Sequence, residues 1–294
     1  MTISSCFSKL LSGIEPRDTD IRLYDSHKSS VKTRLESVFQ TNRVEQIGSY
    51  SRGSAIRDTS DIDLMLILSV NEVRWGDKLK SSSTILNQVR EQLQGRYYST
   101  DVGRDGQAVV VRFADNKHPV DVVPAVYTRH GGVKNYPIYA IPNGSGGWMD
   151  TSPQAHNKFI NDADDRSGGK LKRTAMLIKF WRRCRQPKIP LSSFHLELLL
   201  AVEGTCVGPK SYAVCMNDAL VLLSNRQCES LVDPVGVSGG VPSANTEAKK
   251  QQLRQAVSSS ADRTYKACIS ESRGDFNEAY RLWDLVFNGY FPRG

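Results

Sequence analysis

An α/β (α+β) fold, with a mixed sheet in the first half and a helical lobe in the second, is what this 294-residue sequence predicts. Three observations predict it. Runs rich in β-branched and other apolar residues lie at Asp61–Leu68, Ala108–Phe113 and His118–Val126, and such runs read as strands. A helical apolar pattern at about 80–95, carried by Ile85, Leu86, Val89 and Leu93, separates the first run from the others. From about Pro153 onward the apolar residues recur at helical rather than strand spacing.

The elements follow in order. Residues 20–42 read as a helix through Ile21, Leu23, Tyr24, Val31, Leu35, Val38 and Phe39. The run Leu64 to Leu68 is apolar without alternation, which suits a strand buried on both faces. Asp115-Asn116-Lys117 reads as a hairpin turn between the two later strands. Residues 131–153 read as a loop-rich connector, broken by Gly131-Gly132, Pro137, Pro142-Asn143-Gly144 and Gly146-Gly147. Helices are expected at 153–165, 168–185, 192–203, 212–224, 244–260 and 274–287, with a break at 236–242. The division is thus 1–150 for the sheet region and 151–294 for the helical lobe.

Composition narrows the function classes. A hydrophobic content of 39% with 24% charged residues is that of a globular protein. The net charge of +8 points to anionic partners, but on a chain this long it is a modest excess and implies no obligatory nucleic acid. The six cysteines are scattered, form no Cys-x-x-Cys pair and do not cluster with the five histidines. This argues against a structural zinc site and a disulfide framework, and for reduced thiols in a cytoplasmic protein. Residues 1–13 lack the pattern of a signal peptide. No run approaches the roughly 18 apolar residues of a membrane span, so no membrane partner is expected.

The chemistry concentrates at Gly48-Ser49-Tyr50-Ser51-Arg52-Gly53-Ser54 and Ser60-Asp61-Ile62-Asp63. In a strand, residues i and i+2 share a face, so Asp61 and Asp63 project together. Two carboxylates so close repel each other unless a cation lies between them. A hard oxygen site of this kind suits Mg²⁺, which binds one or two carboxylates plus substrate phosphates. The Gly/Ser loop can bring backbone N–H groups up to a phosphate. Asp121, on a neighbouring strand, supplies a third carboxylate, and three can hold two Mg²⁺ ions for in-line phosphoryl transfer.

These residues resemble the polymerase-β-like nucleotidyltransferases. With Lys179-Phe180-Trp181-Arg182-Arg183, Ser192-Ser193-Phe194-His195-Leu196-Glu197 and Val232-Asp233-Pro234, the chain resembles, from about 20 to 290, the cGAS/DncV-like enzymes of bacterial anti-phage defence, which make cyclic oligonucleotide second messengers. The resemblance implies a palm with a long N-terminal spine helix, a helical lobe, and an active site in the cleft between them. It implies catalysis and metal binding by Asp61, Asp63 and Asp121, and phosphate contacts from Gly48 and Ser49. It also assigns triphosphate contacts to Lys179 and Ser193, and a place near the donor nucleotide to Asp233, for which a helix-entry cap is the competing explanation. Arg52 contacts phosphate or only braces the loop. His195 reads as a packed residue rather than an acid or base. Tyr136, Tyr139 and Trp148 line a base pocket or pack the connector. Ser152 falls where the family selects bases, and the lack of Asn there favours purines.

The expected activity is therefore joining of NTPs, GTP and ATP favoured, into a purine cyclic dinucleotide such as cyclic GMP-AMP or c-di-GMP, with release of pyrophosphate. The rivals are NMP transfer to RNA or a small acceptor, and a non-catalytic nucleotide-binding scaffold. Regulatory proteins of a defence operon are expected partners, including conjugation through Gly294.

Overall fold

The computed structural model describes residues 2–57, 61–115 and 117–293, which form two compact units. One comprises residues 16–157 with 235–238; the other comprises 1–15, 158–234 and 239–294. The expected division placed residues 1–15 with the sheet. They form helix α1 (Ile3–Ile14), which buries Ile3, Cys6, Phe7, Leu10, Leu11 and Ile14 within the helical unit.

In the sheet unit, α2 (Asp18–Val38) is followed by β1 (Thr41–Gln46), α3 (Gly48–Arg52), β2 (Ile62–Leu68), a small hairpin of β3 (Arg74–Trp75) and β4 (Lys78–Leu79), and α4 (Ser82–Arg96). Then come β5 (Asp101–Asp105), β6 (Ala108–Arg112), β7 (Val120–Gly131), β8 (Tyr136–Pro142) and β9 (Trp148–Thr151). The strand order is β1-β2-β7-β6-β5, with β8 paired to the distal part of β7 and β9 paired to β8. Among the described residues only the β2–β7 pair is parallel.

The two faces of this sheet differ. Ile62, Leu64, Leu66 and Leu68 of β2 and Val120, Val122 and Val126 of β7 join Tyr24, Val31 and Leu35 of α2 and Ile85, Leu86, Val89 and Leu93 of α4 in one large core. The opposite face carries a smaller cluster, Met65, Ile67, Ala125, Tyr139 and Ile141. Period-two alternation puts Asp63 and Asp121 on this second face, in line with Met65 and Val123.

The stretch 131–153 is not a loop-rich connector but contains the β8–β9 hairpin. Its breakers delimit the strands instead of dissolving them: Gly132 takes a positive φ in the turn after β7, and Asn143 Oδ1 caps the β8–β9 turn by accepting from the N–H groups of Ser145 and Gly147. The helix expected at 20–42 stops at Val38, and residues 41–46 become the edge strand β1. Residue Asn116 of the expected turn lies outside the described residues; Asp115 Oδ1 accepts from the Lys117 N–H there.

Helix α5 (Pro153–Arg166) leads from the sheet unit into the helical unit. The latter continues with α6 (Lys170–Arg183), α7 (Ser193–Glu203), α8 (Tyr212–Asn225), the short pair β10 (Leu231–Val232) and β11 (Gly240–Val241), α9 (Glu247–Ser272) and α10 (Phe276–Val286). Helix α9 outruns its expected end at 260 because its last turns bury small residues, Ala261, Thr264 and Ala267, which carry little hydrophobic signal. Phe7, Trp283, Phe287 and Phe291 pack edge-on and stacked around the C-terminal segment. All six cysteines are free thiols, five of them buried. No described helix is long and apolar enough to cross a membrane.

Candidate active site

Asp63 and Asp121 stand opposite each other in the parallel register of β2 and β7. Asp61 is exposed immediately before β2, and the Ile62 N–H that follows it donates to the Pro119 carbonyl at 2.8 Å. Ser60, of the same motif, lies outside the described residues. Burial first, then the negative charges of Asp61 and Asp63, push the Asp121 carboxyl up to about 8. A shift of that sign is what mutually repelling carboxylates on a half-buried face produce.

The turn bearing Gly48 and Ser49 is fastened to the same place. The Ile47 N–H donates to the Asp63 carbonyl at 2.9 Å, and α3 begins at the next residue. Gly48 has φ +74°, and a Cβ there would lie 1.8 Å from Asp63 Oδ2. Glycine is thus required twice, by backbone conformation and by the approach of the carboxylate. The segment is a single turn of helix rather than an open loop. Gly53 closes it in the left-handed conformation, and the Ser54 N–H returns to the Ser49 carbonyl at 2.9 Å. Behind it Tyr50 packs on Tyr24 of α2, ring centroids 3.9 Å apart. Burial, with Tyr50 and Asp63 adding to it, holds the Tyr24 phenol far above its usual range, so it stays protonated.

Among the described residues no three His, Cys, Asp or Glu side chains already converge into a metal cage. The donor set nevertheless fits Mg²⁺. The ion keeps several waters and takes one or two carboxylates together with substrate phosphates, so it needs hard, mutually repelling carboxylates rather than a closed protein cage.

The residues expected from the second half lie in the helical unit, and each is already engaged there. Lys179 is 5% exposed, its ammonium paired with the wholly buried Glu197. Although a run of basic residues on a helix ordinarily forms a solvated face, Lys179 on α6 is buried. Ser193 opens α7, and its hydroxyl accepts from Arg182 Nη1 at 2.8 Å; burial lowers the Arg182 guanidinium to about 10. Asp233 is buried just past β10, with its N–H donating to the Gly239 carbonyl at 2.7 Å. It is not a helix-entry cap, because the chain turns back into β11. His195 is a packed residue whose Nδ1–H donates to the Val241 carbonyl at 2.9 Å.

In the sheet unit, Ser152 donates its hydroxyl to the Pro137 carbonyl at 2.7 Å. Tyr139 is buried in the smaller core cluster, and Trp148 Nε1 donates to the Lys80 carbonyl at 3.0 Å, so both serve packing; Tyr136 is half-buried at the start of β8. Arg52 is 8% exposed and donates to Asn157 Oδ1 at 3.3 Å, which is the bracing arrangement. Asn157 escapes sequence reading because it lies 105 residues away on α5 and belongs to no motif.

A mixed sheet that sets paired aspartates beside a Gly-Ser turn defines a nucleotidyltransferase of the polymerase-β-like class. A family model described as the Second Messenger Oligonucleotide or Dinucleotide Synthetase (SMODS) domain matches residues 1–164, and the chain belongs to that family of cGAS/DncV-like nucleotidyltransferases. It is 26% identical over 310 residues to a probable cyclic nucleotide synthase of Bacillus cereus strain VD146, covering 92% of this chain and 89% of the relative. It is 27% identical over 320 residues to a cyclic AMP-AMP-AMP synthase of Acinetobacter sp. strain ATCC 27244 / 9458, covering 100% and 86%. Among solved structures it resembles Escherichia coli MS115-1 CdnC with ATP, with a TM-score of 0.75, 18% identity and 98% of each chain covered. Membership places the chain among enzymes of the cyclic nucleotide synthase class, whose fold generally works with divalent metal.

Proposed function

We propose that this enzyme joins purine NTPs into a cyclic oligonucleotide signal for anti-phage defence, without a template, using two Mg²⁺ ions and releasing pyrophosphate. The observation that carries the reading is the register of Asp63 against Asp121 with Gly48 closed down on the Asp63 carboxylate. ATP is the leading substrate, because the Acinetobacter relative is named for a product made of AMP alone. A cyclic adenylate thereby joins cyclic GMP-AMP and c-di-GMP as a candidate product.

Asp61, Asp63 and Asp121 would hold the metal. Bound Mg²⁺ supplies charge neutralisation along the triphosphate and makes a coordinated hydroxyl more acidic. Gly48 and Ser49 offer N–H groups and a hydroxyl to the β- and γ-phosphates; the first turn of a helix leaves such N–H groups without intrahelical partners. Asp121 would stand on the acceptor side, where the ribose hydroxyl gives up its proton to solvent as its oxygen bonds the α-phosphorus and the bond to the departing pyrophosphate breaks. Lys179 and Ser193 contact the triphosphate and Asp233 the donor nucleotide; Glu197 and Arg182 would orient the first two. Proteins of the same operon regulate the enzyme. Gly294, the expected conjugation point, lies outside the described residues.

The test is incubation with ATP, GTP and their mixture in the presence of Mg²⁺, phosphatase treatment and mass spectrometry. A phosphatase-resistant cyclic product, absent with Asp63→Ala, is expected. No such product from any NTP mixture would sink the reading. A ladder growing on added RNA would favour the RNA-extending rival, and nucleotide affinity indifferent to Asp121→Asn would favour a scaffold.

A further inference from the structure

Three side chains link the turn at the active site to α5 by a hydrogen-bond relay. Arg52 Nη1 donates to Asn157 Oδ1 at 3.3 Å, Asn157 Nδ2 donates to Ser51 Oγ at 3.2 Å, and Ser51 Oγ donates to the Gly48 carbonyl at 2.9 Å. Its direction is dictated by chemistry. A guanidinium can only donate, so it must meet the amide oxygen of Asn157, and the amide nitrogen then faces Ser51. Because that amide can only donate to Ser51, the single hydroxyl proton of Ser51 is left to point at Gly48. The receiving residue is the one whose Cα lies against the Asp63 carboxylate, with no room for a Cβ. The relay thus ends on the peptide that sets the distance between the phosphate turn and the first strand carboxylate.

We infer that Asn157 is a positioning residue for nucleotidyl transfer, holding the Gly48–Ser49 turn in place against Asp63 through Ser51. This rests on the function proposed above. Asn157 itself touches no reacting atom; it acts by fixing which way the Ser51 proton points. Small errors in such a placement are costly, since displacement of a positioned group by about 1 Å lowers rates on the order of 100-fold.

The informative variant is Asn157→Asp. Its carboxylate still accepts from Arg52, as an ion pair, so the buried guanidinium keeps its partner and the fold is retained. It cannot donate to Ser51, whose proton then turns to the new carboxylate and leaves the Gly48 carbonyl. The expected result is a roughly 10- to 100-fold loss of kcat/KM at a melting temperature equal to or above that of the wild type. Ser51→Ala should give the same loss, Ser51→Thr should restore most of it, and Ser51→Ala with Asn157→Asp should be no worse than either alone, as for residues acting in one chain. A parallel measurement of affinity for a non-hydrolysable ATP analogue with Mg²⁺ should weaken in the same variants. Unchanged kinetics and analogue affinity in Asn157→Asp, or losses that multiply in the double variant, would overturn the inference. If the wild type forms no nucleotidyl product, the proposed function fails, and the analogue affinities alone then decide the role of Asn157.

Discussion

The two units treat buried charge in opposite ways. In the sheet unit, burial first and then the like charges of Asp61 and Asp63 make Asp121 take up a proton more readily. In the helical unit, Lys179 is buried against Glu197, and each neutralises the other. One arrangement sets like charges side by side; the other sets opposite charges together. Substitutions can probe the difference from both sides.

The largest effect is expected at the repelling set. Asp63→Ala and Asp121→Asn should each lower nucleotidyl transfer by about 1,000-fold or more, the loss of several kcal/mol of charge stabilisation at the transferring phosphate. Their stability should move the other way. Without divalent cations, Asp121→Asn removes a repelled carboxylate and should melt above the wild type, at about 2–4 °C per kcal/mol for a chain of this size. Mg²⁺ should raise the wild-type melting temperature and leave that of Asp121→Asn nearly unchanged. Differential scanning fluorimetry with and without the ion checks this; a variant that melts lower in its absence would break the contrast between the units.

Next comes the compensated pair. Lys179→Met leaves Glu197 buried without its cation, and breaking a buried pair from one side costs about 3–5 kcal/mol. Lys179→Met combined with Glu197→Leu removes both charges and should recover most of that stability. Its activity then sharpens the comparison. A stable double variant that has lost NTP affinity makes Lys179 a substrate contact as well as half of a pair; one with wild-type kinetics confines the pair to the fold.

How much of this was legible in the sequence follows from the same distinction. The placement of Asp63 beside Asp121 was, because its signals are local: a two-residue spacing that implies a shared face, a Gly-Ser turn just before it, and apolar runs that read as neighbouring strands. The helices after Pro153 were legible for a similar reason. Helix α1 was missed although Ile3, Phe7, Leu10, Leu11 and Ile14 follow helical spacing behind the Thr2 cap, which was a readable signal. The β8–β9 hairpin was hidden by glycines and prolines that punctuate strands here rather than replace them. Lys179–Glu197 and Arg52–Asn157 were not legible at all, since they join distant positions and depend on packing. Charge runs such as that around Lys179 look solvated until tertiary structure buries one member.

Gly48 tests the geometry of the site with a smaller expected effect. Gly48→Ala places a methyl where the Asp63 carboxylate lies and strains a positive φ, so the turn must shift away. The backbone term costs about 1–2 kcal/mol, and activity should fall on the order of 10- to 100-fold as the phosphate turn moves. Gly53 is the control. It has a similar φ of +70°, but no atom lies within 4 Å of an added Cβ. Gly53→Ala should therefore show the stability loss without the loss of activity, and equal kinetic damage at both glycines would count against a specific contact between Gly48 and Asp63.

The smallest expected effect concerns His195, which the helical unit keeps uncharged. Burial lowers its pKa below the ordinary value, and its Nδ1–H is spent on the Val241 carbonyl. The unfolded chain, with a histidine pKa near about 6.5, binds a proton at mildly acidic pH that the folded chain resists. Stability from this residue is therefore complete above about pH 6.5 and is lost as the pH falls through the interval between that value and the depressed folded one. The slope contributed by one group cannot exceed about 1.4 kcal/mol per pH unit. His195→Gln keeps an N–H donor for Val241 without a titrating group. Denaturant titrations at pH 7.5 and 5.5 should show the wild type losing more stability than His195→Gln, because only the wild type has a proton to refuse. Equal losses would mean that the helical unit tolerates a charge at this position, and the contrast with the sheet unit would then rest on Lys179 and Glu197 alone.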